Sequence, residues 1–455
     1  MRRREGSSKT VIFIVIVLVI LGFLVYLYNS KMFERNAPVI NLSEKIYWNL
    51  REPLKIEVSD DSGIKFARVT LSDGENQITL LNEKFTTYDK NKTFDITFPK
   101  TGFFSKKNEY ILTFEVTDSS RASFFSGNSV TKSSTIVVDI KRPDVYVVAN
   151  SYKISRGGAG TVIFKAEDAN MAELSIQTSS GKTFKAAPFY KDGYFVSIIA
   201  WPINDENFSA YIVAKDLAGN EAKERIRYYL DPKTYKKSEI ELRDSFLDGG
   251  IKDLAEELAF VATKDLSNLD KFKYLNENIR AVSEQNLLNA TSAINNNNVF
   301  KVQAFYPLRN GAAVASYGDY RIYSYQNNEV SRSYHLGLDL ASTREADIVL
   351  SNSGRVAFAG ENGIYGNTVI VDHGLGVYSL YAHCSRILVN VGDEVLIGDV
   401  IAKSGSTGFA FGDHLHFGIV VQGVEVRPTE WMDNKWLKEN IYDLISSATK
   451  AIEKR

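Results

Sequence analysis

All five histidines of the chain, His335, His373, His383, His414 and His416, lie in its last third. His335 and Asp339 are four apart in Tyr334-His-Leu-Gly-Leu-Asp339, with Leu336, Leu338 and Leu340 on the alternate positions. An extended segment would place the imidazole and the carboxylate on one face and the leucines in a core. An imidazole and a carboxylate projecting together are two metal ligands that need a third. His414 and His416 flank Leu415, so on a strand both rings would share a face. Two adjacent imidazoles on a β surface are costly unless something occupies them, because neither can be buried charged without a partner. A metal is the usual resolution. Tyr381 and His383 share the face of a third candidate strand. His373, in Asp372-His-Gly-Leu-Gly376, reads as a hairpin-turn residue bonding backbone. Satisfied structural histidines are the competing explanation for each motif taken singly.

Taken together, the motifs resemble those of the lysostaphin-like, or LytM-type, zinc metallopeptidases. His335-Leu-Gly-Leu-Asp339, Tyr381-Ala-His383 and His414-Leu-His416 occur in that family's order and at similar spacing. The flanks agree as well: Gly337, Asp372-His-Gly374 and Gly405-Ser-Thr-Gly408. The resemblance covers residues 310–430. It implies zinc (Zn2+) held by His335, Asp339 and His416, catalytic roles for His383 and His414, and a narrow groove that takes peptide bonds of peptidoglycan, the bacterial cell wall. Two imidazoles and one carboxylate leave a tetrahedral zinc one open position. A water there loses a proton near about pH 7. His383 or His414 could take that proton or stabilise the developing oxyanion. The implied activity is that of an endopeptidase, or a carboxypeptidase, on stem peptides or cross-links. Two positions depart from the family. Cys384 stands where leucine is usual and reads as a packing substitution, and Arg427-Pro428 stands where Asn-Pro is common. Some relatives have lost ligands and act as scaffolds that bind and activate other wall hydrolases. No ligand is lost here, which favours the enzyme. An adhesive surface protein would leave the histidine cluster unexplained.

These residues need a sheet to position them. Gly354–Ala359, Asn367–Asp372, Gly376–His383 and His414–Val421 read as its strands, joined by glycine-bearing turns, within an all-β domain over 301–433. Residues 434–455 read as a peripheral C-terminal helix. Upstream, 232–300 reads as a helical spacer. Ile251, Leu254, Leu258 and Val261 mark one stripe, and Leu269, Phe272, Leu275, Ile279 and Val282 another, with Asp265 or Ser267 as the second N-cap. This spacer, or the loop through Asn295–Asn298, is a candidate cover for the groove. Before it, segments recur about 100 residues apart: Pro38-Val-Ile with Pro143-Asp-Val, and Phe114-Glu-Val-Thr-Asp118 with Ile212-Val-Ala-Lys-Asp216. Alternating strands such as Lys55–Val58 and Ala67–Leu71 suit two Ig-like β-sandwiches, over 37–141 and 142–231. Asp60, Asp61, Asp118 and Asp216 read as turn formers rather than calcium ligands.

Val11–Tyr28 is an uncharged, largely apolar run of 18 residues preceded by Arg2, Arg3, Arg4 and Lys9. It would span about 27 Å, close to the thickness of a bilayer core. Its length and the bulky residues after it fit an uncleaved transmembrane anchor over 11–28, with 1–10 as a cytoplasmic tail and the rest outside the cytoplasmic membrane. The expected fold class is therefore mainly β: an N-terminal transmembrane helix, two sandwiches, a helical spacer and a LytM-type peptidase domain. The 455 residues carry a formal net charge of −1, which argues against nucleic acid as a partner. The single cysteine, Cys384, allows no internal disulfide. No protein partner can be named from the sequence.

Overall fold

A computed structural model describes residues 7–99, 107–295 and 300–454. They fall into two compact units. The first comprises Met1–Arg142 with Asn170–Ala172 and Lys215–Glu221. It begins with a 23-residue helix, Ser7–Asn29, whose apolar side chains from Val11 to Phe23 are exposed. Among the described residues no helix is long and apolar enough to cross a membrane, so the fold does not support the expected span. Residues 1–6 of the expected tail lie outside the described residues.

The rest of this unit carries two sheets. One is ordered Val39–Asn41, Leu54–Ser59, Asn91–Ile96; the other Lys45–Trp48, Ser129–Val138, Glu109–Asp118, Ile64–Ser72, Gln77–Lys84. The alternation read at Lys55–Val58 and Ala67–Leu71 is realised. Ile56, Val58, Ala67, Val69 and Leu71 point into one core with Phe94, Leu112 and Phe114. Three of the four acidic turn residues, Asp60, Asp118 and Asp216, bond backbone. Asp60 Oδ1 accepts from Ser62 N–H, Asp118 Oδ1 from Ser120 N–H and Asn128 N–H, and Asp216 Oδ1 from Asn220 N–H.

The second unit holds Pro143–Ala169, Glu173–Ala214 and Ala222–Arg455. Its first sheet is ordered Ala187–Pro188, Tyr194–Ala200, Ala159–Glu167, Asp144–Asn150. The stretch after Pro232 does not begin as helix. Lys237–Glu241 is a strand paired in parallel with Tyr320–Tyr325, and helices occupy Asp244–Thr263 and Asn268–Thr291. Both apolar stripes are real but shorter than read. Ile251, Leu254, Phe272 and Leu275 are buried together with Tyr323, whereas Val261 and Val282 are exposed. Ala259 leaves helical geometry (φ −153°), which breaks the 3.6-residue period ahead of Val261. Ser267 caps the second helix by accepting from Asp270 N–H.

The C-terminal part of the unit is built on an eight-stranded sheet. Its order is Ala312–Ala315, Leu338–Ala341, Leu415–Val421, Val377–Ala382, Asn367–Asp372, Gly354–Glu361, Glu394–Val395, with Val424–Val426 also pairing Leu415–Val421. Val377–Ala382 and Leu415–Val421 are buried along their whole length. Leu287 of the second helix packs with Tyr378, Leu380 and Val420. The C-terminal helix is not peripheral, because Ala448 and Ile452 are buried and Ala448 shares a core with Ile163, Ala187 and Val196. Arg427, to which the sequence assigned no role, gives its N–H to Gly157 O, and Glu430 Oε2 accepts from Ala159 N–H. The segment Arg427–Glu430 thus ties the sheet containing Ala159–Glu167 to the eight-stranded one.

Phe272 is fully buried against Tyr323, with ring centroids 5.0 Å apart, and near Phe409, at 6.2 Å. Phe272→Ala should therefore cost about 3–5 kcal/mol in chemical denaturation of the full chain. A loss under about 1 kcal/mol would show that these helices only lean on the sheet.

Candidate active site

Strand Leu415–Val421 is the pivot. It pairs on one side with Leu338–Ala341, which sets Asp339 directly across from His416, and on the other with Val377–Ala382, which sets Ala382 across from His416. Three of the expected site residues thereby reach one point from distant segments. His335 itself is not on the strand that carries Asp339. Its preceding strand, Asn328–Tyr334, belongs to a different sheet, and the chain turns at Gly337. The extended reading from His335 to Asp339 is thus corrected, although the two side chains do converge. A Cβ on Gly337 would lie 2.3 Å from His416 Nε2, so only glycine fits there.

His335 Nε2 lies 3.0 Å from Asp339 Oδ1 and 3.1 Å from His416 Nδ1, and His416 Nδ1 lies 2.8 Å from Asp339 Oδ1. All three residues are buried. His335 Nδ1–H donates to Ser316 O at 3.0 Å, so its Nε2 presents a lone pair to the cluster. A proton on any one edge of this triangle leaves another edge with like groups facing, whereas a cation near the centre satisfies all three atoms. A tetrahedral zinc bound at about 2.0–2.2 Å would suit two nitrogens and one oxygen this close together. His416 Nε2 is buried without a hydrogen-bond partner, a cost of about 1–3 kcal/mol that binding through Nδ1 would offset. The residues fit the metal. Burial opposes the charge on Asp339, but the two imidazoles at its oxygen outweigh it and hold the carboxyl well below the usual range. Burial pushes His416 down.

His383 and His414 stand beside the triangle. Their ring centroids are 4.8 Å apart, and His383 is 5.7 Å from His416. Nδ1–H of His383 donates to Thr407 O, and Nδ1–H of His414 to Gly412 O, each at 2.8 Å. In its neutral form each ring then carries its lone pair on Nε2. Burial, then the neighbouring His416 and His414, push His383 down to about 3. It is therefore neutral near pH 7.

The shared strand face expected for Tyr381 and His383 is not found. Tyr381 ends within a strand and packs on Phe417, whereas His383 lies one residue past the strand end with φ +62°. That left-handed backbone is a strained state for a side-chain residue, held by its surroundings. His383 N–H is fixed on Tyr365 O at 2.9 Å, and the Tyr365 ring lies 5.6 Å from that of His416. Tyr365, Thr407 and Ser316 were not singled out from the sequence. Only the Gly405–Gly408 flank hinted at Thr407. His373 is structural: it bonds Ser353 O and Ser379 Oγ, and burial lowers it to about 4. Burial pushes the Cys384 thiol up to about 12, so it packs and is no nucleophile.

The histidines open into a cleft of about 460 Å³. Its opposite wall comes from the spacer region: Leu242, Phe246 and Phe272, facing Phe409 and Phe411. Phe246 meets Phe411 edge-on at 4.7 Å. The spacer expected to cover the groove therefore forms a wall of it. Of the other candidate cover, Asn295–Asn298, residues 296–298 lie outside the described residues.

Residues 333–428 match Peptidase family M23. Over 94 residues the chain is 39% identical to the DD-carboxypeptidase/endopeptidase Mpg of Neisseria meningitidis, covering 21% of this chain and 22% of that one. Over 112 residues it is 36% identical to the murein hydrolase activator NlpD of Salmonella dublin, covering 24% and 29%. The chain thus spans about a fifth to three tenths of the length of these relatives. The solved catalytic domain of the antimicrobial peptidase lysostaphin from Staphylococcus simulans overlaps 27% of this chain and 92% of its own, at 28% identity and a TM-score of 0.23.

Gly337→Ala should push the His416 ring aside and lower zinc retained after dialysis at least about tenfold. Retention of one zinc per chain would dissociate Gly337 from the cluster. Beneath the site, the Tyr365 hydroxyl donates to Glu425 Oε1 at 2.9 Å, and burial raises the Glu425 carboxyl from 4.5 to about 8. A folded-state pKa above the unfolded one gives stability that is complete below the lower value and lost as pH climbs to the higher. The melting temperature should fall between pH 4.5 and about 8, and Glu425→Gln should flatten that slope in calorimetric scans. An unchanged slope would place the titration elsewhere.

Proposed function

We propose, from the premise that residues 333–428 are a peptidase M23 domain, that this protein hydrolyses peptide bonds in peptidoglycan as a zinc endopeptidase or carboxypeptidase. The observation that carries the reading is the triangle of His335, Asp339 and His416 with the His383 and His414 rings beside it. A zinc ion held there would supply a Lewis acid for the scissile carbonyl and an activated water. The chain's own groups do the rest. Asp339 brings the negative charge that favours a cation. Ser316 O fixes the His335 tautomer. His383 Nε2 would accept the water's proton and pass it to the leaving nitrogen, and His414, the more exposed of the pair, would stabilise the developing oxyanion when its Nε2 carries a proton. The water oxygen joins the carbonyl carbon as the C–N bond breaks. The aromatic wall keeps bulk water from one side of the reacting atoms.

The similarity to an activator favours a second reading, a non-catalytic scaffold that binds the wall and switches on another hydrolase. The complete ligand set argues for catalysis. We further propose a single-pass anchor in the cytoplasmic membrane through Val11–Tyr28, with the peptidase outside it, in periplasm or wall. Its support is the uncharged run and the arginines before it. The two-sheet modules are proposed as Ig-like spacers over 37–141 and 142–231.

Purified full-length protein should release peptide fragments from isolated peptidoglycan, detected by mass spectrometry. Activity should vanish with a chelator and return with zinc. His335→Ala should lose both metal and activity. His383→Ala should keep its metal and lose at least about a hundredfold in rate. Loss of zinc from His383→Ala would overturn the division of roles, and an inert wild type would leave the scaffold.

A further inference from the structure

We infer that the cleft recognises a free carboxylate beside the scissile bond, through Arg243 and Arg321. The inference rests on the peptidase reading and names the substrate feature that the same site selects. Three arginines line the cleft, Arg243, Arg280 and Arg321, against two acidic residues, Asp339 and Glu241. Asp339 is committed to the histidines, and Glu241 Oε2 accepts from Ser324 Oγ at 2.6 Å. Arg280 is held by Asn276, through Nε to the backbone oxygen at 3.1 Å and Nη2 to Oδ1 at 2.9 Å. The other two are not used up. Arg321 spends only Nε, on Asp319 Oδ2 at 3.4 Å. The Arg243 side chain has no hydrogen-bond or ion-pair partner among the described residues.

Both stand close to the chemistry along the chain. Arg321 is two residues from Asp319, whose carbonyl accepts the His335 N–H at 3.0 Å. Arg243 follows Leu242 and precedes Phe246 on the apolar wall. A guanidinium set against an apolar wall attracts an anion more strongly than it would in open water. Its forked N–H groups match the two oxygens of a carboxylate. A cleft of about 460 Å³ admits only a short peptide segment. A carboxylate held in it therefore belongs to a residue adjoining the bond. The residue that supplies the scissile carbonyl has its α-carboxyl in the bond itself. The free α-carboxylate is thus carried by the residue that supplies the amine. The site selects a bond whose amine-side residue ends in a carboxylate over one in the interior of a chain.

The test uses full-length, zinc-loaded His383→Ala protein, which binds without turnover, and two probes: N-acetyl-L-lysyl-D-alanyl-D-alanine as the free acid and as its C-terminal amide. Calorimetry should show the acid binding about tenfold tighter than the amide. Adding Arg243→Gln or Arg321→Gln should reduce that ratio towards one. Equal binding of acid and amide overturns the inference without reference to any arginine variant, and so does a preference that survives both substitutions. Failure of the peptidase reading looks different: the acid remains preferred, yet the wild type releases no alanine from it.

Discussion

Three electron-rich atoms, His335 Nε2, His416 Nδ1 and Asp339 Oδ1, sit within 3.1 Å of one another in a buried site. Such a cluster repels itself unless positive charge sits among its members. The surrounding architecture reads as the means of holding them there. The cross-strand pairing of Asp339 with His416 fixes one edge. The turn at Gly337 lets His335 come round to the third corner, and Ser316 O sets its tautomer. Each constraint acts through backbone geometry, so side-chain freedom at the site is small before any ion arrives.

The groups beside the cluster depend on a second layer. His383 occupies a left-handed backbone state that is uncommon for a residue with a side chain. It is held by its N–H on Tyr365 O and its ring on Thr407 O. Tyr365 links this layer to His416 by its ring and to the buried Glu425 by its hydroxyl. One tyrosine therefore couples a proton-transfer candidate to a metal-ligand candidate.

The cleft is not the property of residues 333–428 alone. Its apolar wall comes from residues 242–272, which share a core with Tyr323 and Phe409. The sheet containing Ala159–Glu167 is tied in through Arg427, Glu430 and the C-terminal helix. Segments that read as spacers belong to the body of the second unit and line its cleft.

The sequence by itself determined the identity of the cluster, because metal chemistry restricts the residue types and the three motifs come in a fixed order. It also determined the strands with clean alternation, such as Ala67–Leu71, since period-two burial is a local property of the chain. Tertiary structure alone decided the rest. His335 falls outside the strand that carries Asp339 because the chain bends at Gly337, where only a glycine leaves room for the His416 ring, and no periodicity registers a bend of that kind. His383 left its strand because Tyr365 and Thr407, distant in sequence, hold it there. Lys237–Glu241 became a strand because Tyr320–Tyr325 offered it a partner, and an edge pairing depends on a neighbour that local sequence does not contain.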